Sequence, residues 1–146
     1  MINLDPRLLE LAWLVSPATM AEYLTRATVP ELRWHPAPHL IMLSDWLVEA
    51  ALGQRSRLIV TMPPQNGKSS LVAHWFPAWL LALWPHKRIM YITYASTQAE
   101  VWGRRVRNTL VQHRSMVAAR VSDDSAAVAL WTTTAGGQMA SIGIDG

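Results

Sequence analysis

The sequence predicts an α/β fold in which a parallel sheet with flanking helices is preceded by an N-terminal helical segment. Three observations support this prediction: helical periodicity dominates the first third of the chain, short β-branched runs follow it, and those runs alternate with further helical stretches. The chain has 146 residues, of which 51% are hydrophobic and 16% charged, so it can bury one core and is too apolar for a disordered protein. We divide it into a helical segment, residues 1–53, and an α/β core, residues 54–146.

Periodicity and prolines define the elements of the first segment. We expect helices over residues 6–15, 17–25 and 39–52, with a proline-rich connector just before the third helix. Gly53 follows the third helix, where a glycine in the left-handed conformation commonly ends a helix. The third helix carries an apolar stripe that we expect to face the core, formed by Ile41, Leu43, Trp46, Leu47 and Ala50.

The α/β core begins with a strand, a loop and a helix. Residues 57–62 form a short, β-branched, apolar run that predicts a buried strand. A polar loop at residues 63–69 separates this strand from an apolar helix that extends to about residue 84 and bends near Pro77.

A second strand and helix follow, and two weaker strands complete the prediction. Residues 88–94 predict a strand, and Thr97 and Glu100 have the spacing of a capping box that opens the next helix. Residues 129–133 and 138–144 predict two further strands around a glycine-containing turn. Because strands alternate with helices in this order, we expect the sheet to be parallel.

Composition excludes several classes of protein. The chain has no cysteine, which excludes disulfide scaffolds, thiolate zinc sites and cysteine nucleophiles. The most apolar stretch, residues 71–84, is too short to cross a bilayer, and the N-terminus lacks the basic start of a signal peptide, so we expect no membrane partner and no secretion. Residues 87–120 carry seven basic side chains and one acidic side chain. Such a segment suits a partner rich in phosphate, and a solvated helix face is the alternative.

The loop after the first predicted strand contains the residue types that bind phosphate. Phosphate-binding loops place free backbone amides at a helix N-terminus, with a glycine at the closest approach, a lysine charge and a hydroxyl that ligates Mg²⁺. Gly67, Lys68 and Ser69 supply the last three, and the full G-x-x-x-x-G-K-[ST] pattern is broken by Met62 in place of its first glycine. The predicted nucleotide-binding residues are Gln65, Asn66, Gly67, Lys68, Ser69 and Ser70, of which Lys68 and Ser69 are also the predicted catalytic residues.

The residues MPPQNGKS at positions 62–69 resemble the deviant Walker A motif of phage terminase large subunits, the DNA-packaging motors of phages. The likeness covers most of the chain, because further segments on both sides of the loop resemble the same family. These segments are Trp34, Pro38, His39, Gly53 and residues 57–60 before the loop, and residues 76–79, 94–96, 103–107, 131–133, 136–137 and 140–146 after it.

The resemblance implies a P-loop NTPase-like core that binds ATP and Mg²⁺. It implies that Lys68 contacts the β and γ phosphates and that Ser69 ligates the magnesium ion. The implied activity is ATP-driven packaging of double-stranded viral DNA into procapsids. The implied partners are double-stranded DNA, a small terminase subunit, a portal and further copies in a homo-oligomeric ring, all in the cytoplasm of a bacterial host.

Two features depart from the pattern of that family. Gln65 is neutral where the family often has a basic residue. No apolar run followed by two acids provides a Walker B motif, so we expect the core to be truncated before the Walker B strand. Because the catalytic carboxylate is missing with that strand, we expect the isolated chain to bind nucleotide weakly and to hydrolyse it poorly.

Several assignments stay open at the level of sequence. Arg104 and Arg107 lie opposite the apolar face of the predicted helix after residue 96, and their alternatives are contact with phosphate, contact with DNA and simple solvation. His39 is a candidate for the adenine pocket; a zinc site with His35 is disfavoured because prolines deny the two a shared helical face. The alternative functions are a non-catalytic remnant or nucleotide- or DNA-binding module, and a fragment of another P-loop NTPase such as a helicase or kinase.

Overall fold

A computed structural model of the chain describes residues 12–26, 33–54, 56–123 and 127–144. Internal contacts divide the chain into two compact units, Met1–Leu71 and Val72–Gly146. The predicted helix over residues 6–15 falls mostly outside the described residues, which show only a 3₁₀ turn at its end, Ala12–Leu14. Within the described ranges, no helix is both long enough and apolar enough to span a bilayer.

Two α-helices lie in the described part of the first unit. α1 spans Pro17–Thr25 and α2 spans Pro38–Leu52, so both predictions are confirmed to within one residue. Ser16 caps α1, because its hydroxyl accepts from the Thr19 amide while the Thr19 hydroxyl accepts from the Ser16 amide. This reciprocal cap explains why the helix begins where it does.

The face that α2 buries differs partly from the predicted stripe. Leu43 and Leu47 are buried as expected, but Ile41 and Trp46 are each 44% exposed. A helix presents residues i, i+3, i+4 and i+7 on one face, and the set that meets this spacing is Leu40, Leu43, Ser44 and Leu47.

Ser44 belongs to the buried face of α2 because it satisfies a backbone donor of α1. Its hydroxyl accepts from the Ala18 amide at 3.1 Å, and that amide is one of the donors that the first turn of a helix leaves free. A polar residue at this position therefore stabilises the contact between the two helices, since the buried hydroxyl and the buried amide satisfy each other.

Gly53 ends α2 without the left-handed conformation that the sequence predicts. Its φ and ψ are −72° and 149°, which is extended backbone, so the predicted left-handed cap is wrong. The Gly53 amide still donates to the Glu49 carbonyl at 3.0 Å. The absence of a Cβ serves a different purpose here, because a Cβ on Gly53 would collide with the Ser56 hydroxyl.

Residues 57–62 do not form the predicted buried strand. They have no regular secondary structure, and the Ile59 side chain is 91% exposed. A strand requires a hydrogen-bonded neighbour, and none of the described strands pairs with this segment. The prediction from β-branched composition therefore fails for want of a partner strand.

The helix after the loop changes type along its length. It begins at Lys68, continues as a π-helix over Ser70–Trp75 and becomes the α-helix α3 over Phe76–Leu83. Pro77 lies in the first turn of α3, where its missing amide hydrogen costs no hydrogen bond. The irregularity predicted near Pro77 is thus a change of helix type just before it.

A three-stranded sheet lies in the second unit, in the order β1-β3-β2. β1 spans Arg88–Thr93, β2 spans Leu130–Thr132 and β3 spans Gln138–Gly143, close to the three predicted ranges. β1 pairs with β3 in parallel, but β2 pairs with β3 antiparallel, so the sheet is mixed and the expected all-parallel sheet is wrong. The connection between β2 and β3 is too short for the crossover that a parallel pair requires.

Helix α4, Ser96–Gln112, covers one face of this sheet. Its buried side chains include Ala99, Trp102, Val106 and Leu110, which form the apolar face that helical periodicity predicts for this segment. The predicted capping box is wrong, because the N-cap is Ala95 and no side chain caps the helix. Gly103 allows close approach to the sheet: a Cβ there would collide with the Ser141 hydroxyl, and its carbonyl accepts from Trp131 Nε1 at 3.2 Å.

Candidate phosphate-binding loop

The loop at residues 63–69 contains two residues in the left-handed conformation with one residue between them. Gln65 has a φ of 62° and Gly67 a φ of 77°, while Asn66 keeps a negative φ. Alternation of positive and negative φ is the backbone pattern of anion-binding concavities, or nests, in which successive amides face one side of the chain, and we call residues 65–67 the nest. The glycine of the predicted motif therefore occupies a position where a left-handed conformation is required.

The amides of this nest are free to bind a ligand. Across the described chain, no backbone amide of residues 65–70 donates to another protein group. The first amide that does so is that of Leu71, which donates to the Gly67 carbonyl at 3.0 Å. Unsatisfied amides at the start of a helix carry partial positive charge, so this end of the helix favours an anion.

Lys68 and Ser69 occupy the first turn of the helix that follows the nest. Lys68 is half-buried and Ser69 is exposed. Neither side chain has a hydrogen-bond or ion-pair partner among the described residues. A lysine charge and a hydroxyl thus follow the free amides directly in the chain, and phosphate-binding loops use both of these groups.

The side chain of Asn66 closes the loop on itself. Its Nδ2 donates to the Pro63 carbonyl at 3.3 Å and to the Pro64 carbonyl at 3.2 Å. The two prolines also restrict φ, so the entry to the nest has few alternative conformations. Asn66 was predicted as a nucleotide-binding residue, and the structure shows that its side chain is engaged with the loop backbone.

The first turn of α2 contacts the loop at two adjacent points. His39 Nε2 lies 3.2 Å from the Asn66 carbonyl oxygen. The Leu40 side chain packs against Gly67, where an added Cβ would lie 2.9 Å from Leu40 Cδ1. His39 was predicted to border an adenine pocket; its observed contact is with the loop backbone.

These contacts could not be found from sequence spacing. His39 and Asn66 are 27 residues apart, and no local pattern relates them. The positive φ of Gln65 was also missed, since glutamine carries no sequence signal for the left-handed region. The asparagine contacts had a detectable signal, because asparagine side chains commonly bond to nearby backbone in turns.

The arginines of α4 belong to the second unit. Arg104 and Arg105 are exposed and Arg107 is half-buried, and none of the three belongs to the buried face of α4. The Arg105 guanidinium lies over the Trp102 ring, 4.7 Å from its centroid. Arg104 and Arg107 therefore present charge at the protein surface, where a phosphate-bearing ligand has access to it.

His74, a half-buried histidine of the second unit, contacts two neighbouring side chains. His74 shares a hydrogen bond of 2.8 Å with the Thr109 hydroxyl and stacks on the adjacent Trp75 ring. Burial and the nearby charge of Arg105 lower its pKa from 6.5 to about 4. His74 is therefore neutral at physiological pH and joins α4 to the π-helix.

No family model, curated protein or solved structure matches the chain.

Proposed function

We propose that this chain binds ATP with Mg²⁺ through residues 65–70 and is the ATP-binding part of a terminase large subunit. The observation that carries the proposal is the nest at Gln65 and Gly67, whose free amides lead directly into the helix that carries Lys68 and Ser69. A phosphate-binding loop needs amides, a lysine and a hydroxyl at one place, and all three occur here.

Each loop residue has a distinct part in this proposal. The amides of residues 65–70 hold phosphate oxygens, and the Lys68 ammonium neutralises charge on the β and γ phosphates. The Ser69 hydroxyl holds the magnesium ion, which polarises the phosphates when it is bound. Gly67 allows the left-handed backbone of the loop and the close approach of Leu40, because it carries no Cβ.

The wider function follows from the resemblance to terminases. In the complete protein, ATP hydrolysis would drive translocation of double-stranded DNA into a procapsid, with a small subunit, a portal and a ring of copies as partners. Arg104 and Arg107 are the residues that we assign to phosphate or DNA contact, because their charges face outward on α4.

The proposal is tested by the affinity for a fluorescent ATP analogue with and without Mg²⁺. Lys68→Ala removes the only charged side chain in residues 65–70, and we expect an affinity loss of roughly tenfold or more. Lys87→Ala is the matched control, because Lys87 is the only other lysine and lies outside the loop. Equal affinity of Lys68→Ala and wild type would refute the site.

A second candidate function is DNA binding without catalysis. The exposed Arg104 and the half-buried Arg107 of α4 favour it, since arginine side chains on one helix face are suited to the phosphate backbone. Joint substitution of Arg104→Ala and Arg107→Ala would then reduce the salt dependence of DNA binding. An unchanged slope would exclude these two residues from DNA contact.

A further inference from the structure

Two residues of α2 contact the peptide unit between Asn66 and Gly67, one on each side of the peptide bond. The His39 ring meets the Asn66 carbonyl oxygen at 3.2 Å, and the Leu40 side chain packs against the Gly67 Cα. Both contacts come from consecutive residues in the first turn of one helix, which Pro38 begins. Both contacts of α2 with the loop therefore fall on the same peptide unit.

The hydrogen bond has a defined direction. A carbonyl oxygen only accepts, so His39 Nε2 carries the proton and donates it to the Asn66 oxygen. The Asn66 carbonyl and the Gly67 amide belong to the same trans peptide plane, in which C=O and N–H point in opposite directions. Holding the carbonyl toward α2 therefore turns the Gly67 amide to the side of the loop that faces away from α2.

We infer that His39 is a positioning residue for phosphate binding, which aims the Gly67 amide at the ligand through its hydrogen bond to the Asn66 carbonyl. This inference rests on the proposed function and assigns to that site a residue outside the loop. Leu40 supports the same peptide by limiting how far Gly67 can move toward α2. A donor that is oriented before the ligand arrives needs no reorganisation on binding, which raises affinity for phosphate.

The structure offers matched variants for a test. His39→Ala removes the donor, whereas His39→Gln keeps an N–H group at a comparable distance from the backbone. His35→Ala is the control, because His35 is an exposed histidine in the connector and has no partner among the described residues. The ligands are MgATP and inorganic pyrophosphate, the second of which has no adenine.

We expect His39→Ala to weaken binding of both ligands roughly fivefold, the loss typical of one hydrogen bond, and His39→Gln to restore most of it. Loss with MgATP alone would overturn the inference and assign His39 to the base. Wild-type affinity of His39→Ala, or no recovery in His39→Gln, would also overturn it. His35→Ala should bind both ligands as wild type does.

A second readout separates this inference from the proposed function. The amide resonance of Gly67 in the unligated protein reports the orientation of its peptide, so it should shift in His39→Ala and return toward its wild-type position in His39→Gln. An identical Gly67 resonance in wild type and His39→Ala would overturn the inference. If instead Lys68→Ala binds ATP as wild type does, the proposed function fails while the Gly67 resonance still decides the role of His39.

Discussion

Substitution of Gly67 by alanine tests how tightly the loop conformation is determined. Gly67 has a φ of 77°, and an alanine in this left-handed region costs about 1–2 kcal/mol. The new Cβ would also lie 2.9 Å from Leu40 Cδ1, which is closer than real Cβ contacts allow, although the far end of a leucine can shift. Together these effects predict a loss of folding free energy of about 2–3 kcal/mol.

Gly136 provides the matched control for this substitution. Its φ is 82°, but a Cβ at that position would have nothing within 4 Å. Gly136→Ala should therefore show the backbone cost alone, about 1–2 kcal/mol. Urea unfolding of the two variants and the wild type measures both losses. A loss in Gly67→Ala no greater than that in Gly136→Ala would refute the argument that Leu40 constrains the loop.

Two further predictions concern the second unit. The Ser141 hydroxyl is buried next to Gly103 and has no hydrogen-bond partner among the described residues. Ser141→Ala should therefore raise the free energy of unfolding by up to about 1 kcal/mol. A clear loss of stability in urea unfolding would show that the hydroxyl does have a partner. The pKa of His74 is about 4 in the folded chain against 6.5 unfolded, so the unfolded state binds the proton first and stability falls as pH drops from 6.5 toward 4. The free energy of unfolding should fall by about 2 kcal/mol between pH 7 and pH 5, and this fall should be smaller in His74→Gln. An equal fall in that variant would show that other groups cause it, among them His113, whose pKa is also lowered by burial.

The helices and strands of this protein were predictable where a single local pattern decides them. The apolar spacing of α4 predicted a helix there, and the predicted ranges of β1 and β3 agree with the observed strands to within one residue. The pattern failed at residues 57–62, where composition favours a strand but the described chain offers no strand to pair with. The β-propensity of a residue reflects how well its side chain packs against adjacent strands, so a segment of high propensity does not become a strand where no adjacent strand is present.

The candidate site divides in the same way. Gly67, Lys68 and Ser69 were identifiable because phosphate chemistry requires these residue types next to one another in the chain. The hydrogen bond from His39 and the packing of Leu40 could not be identified, because they depend on where α2 lies relative to the loop. The short turn between β2 and β3 makes these two strands antiparallel, so the sheet is mixed. The sequence predicted the turn, but the direction of the strands was inferred from the alternation of strands and helices.

The sequence by itself determined which chemical groups the loop contains and the periodicity of most elements, since both depend on residues close together in the chain. Only the tertiary structure decided which face α2 buries, that residues 57–62 stay unpaired and that α2 holds the peptide between Asn66 and Gly67. These outcomes depend on contacts between residues distant in sequence. Each hydrogen bond or packed side chain there exists only when both partners are brought together by the fold.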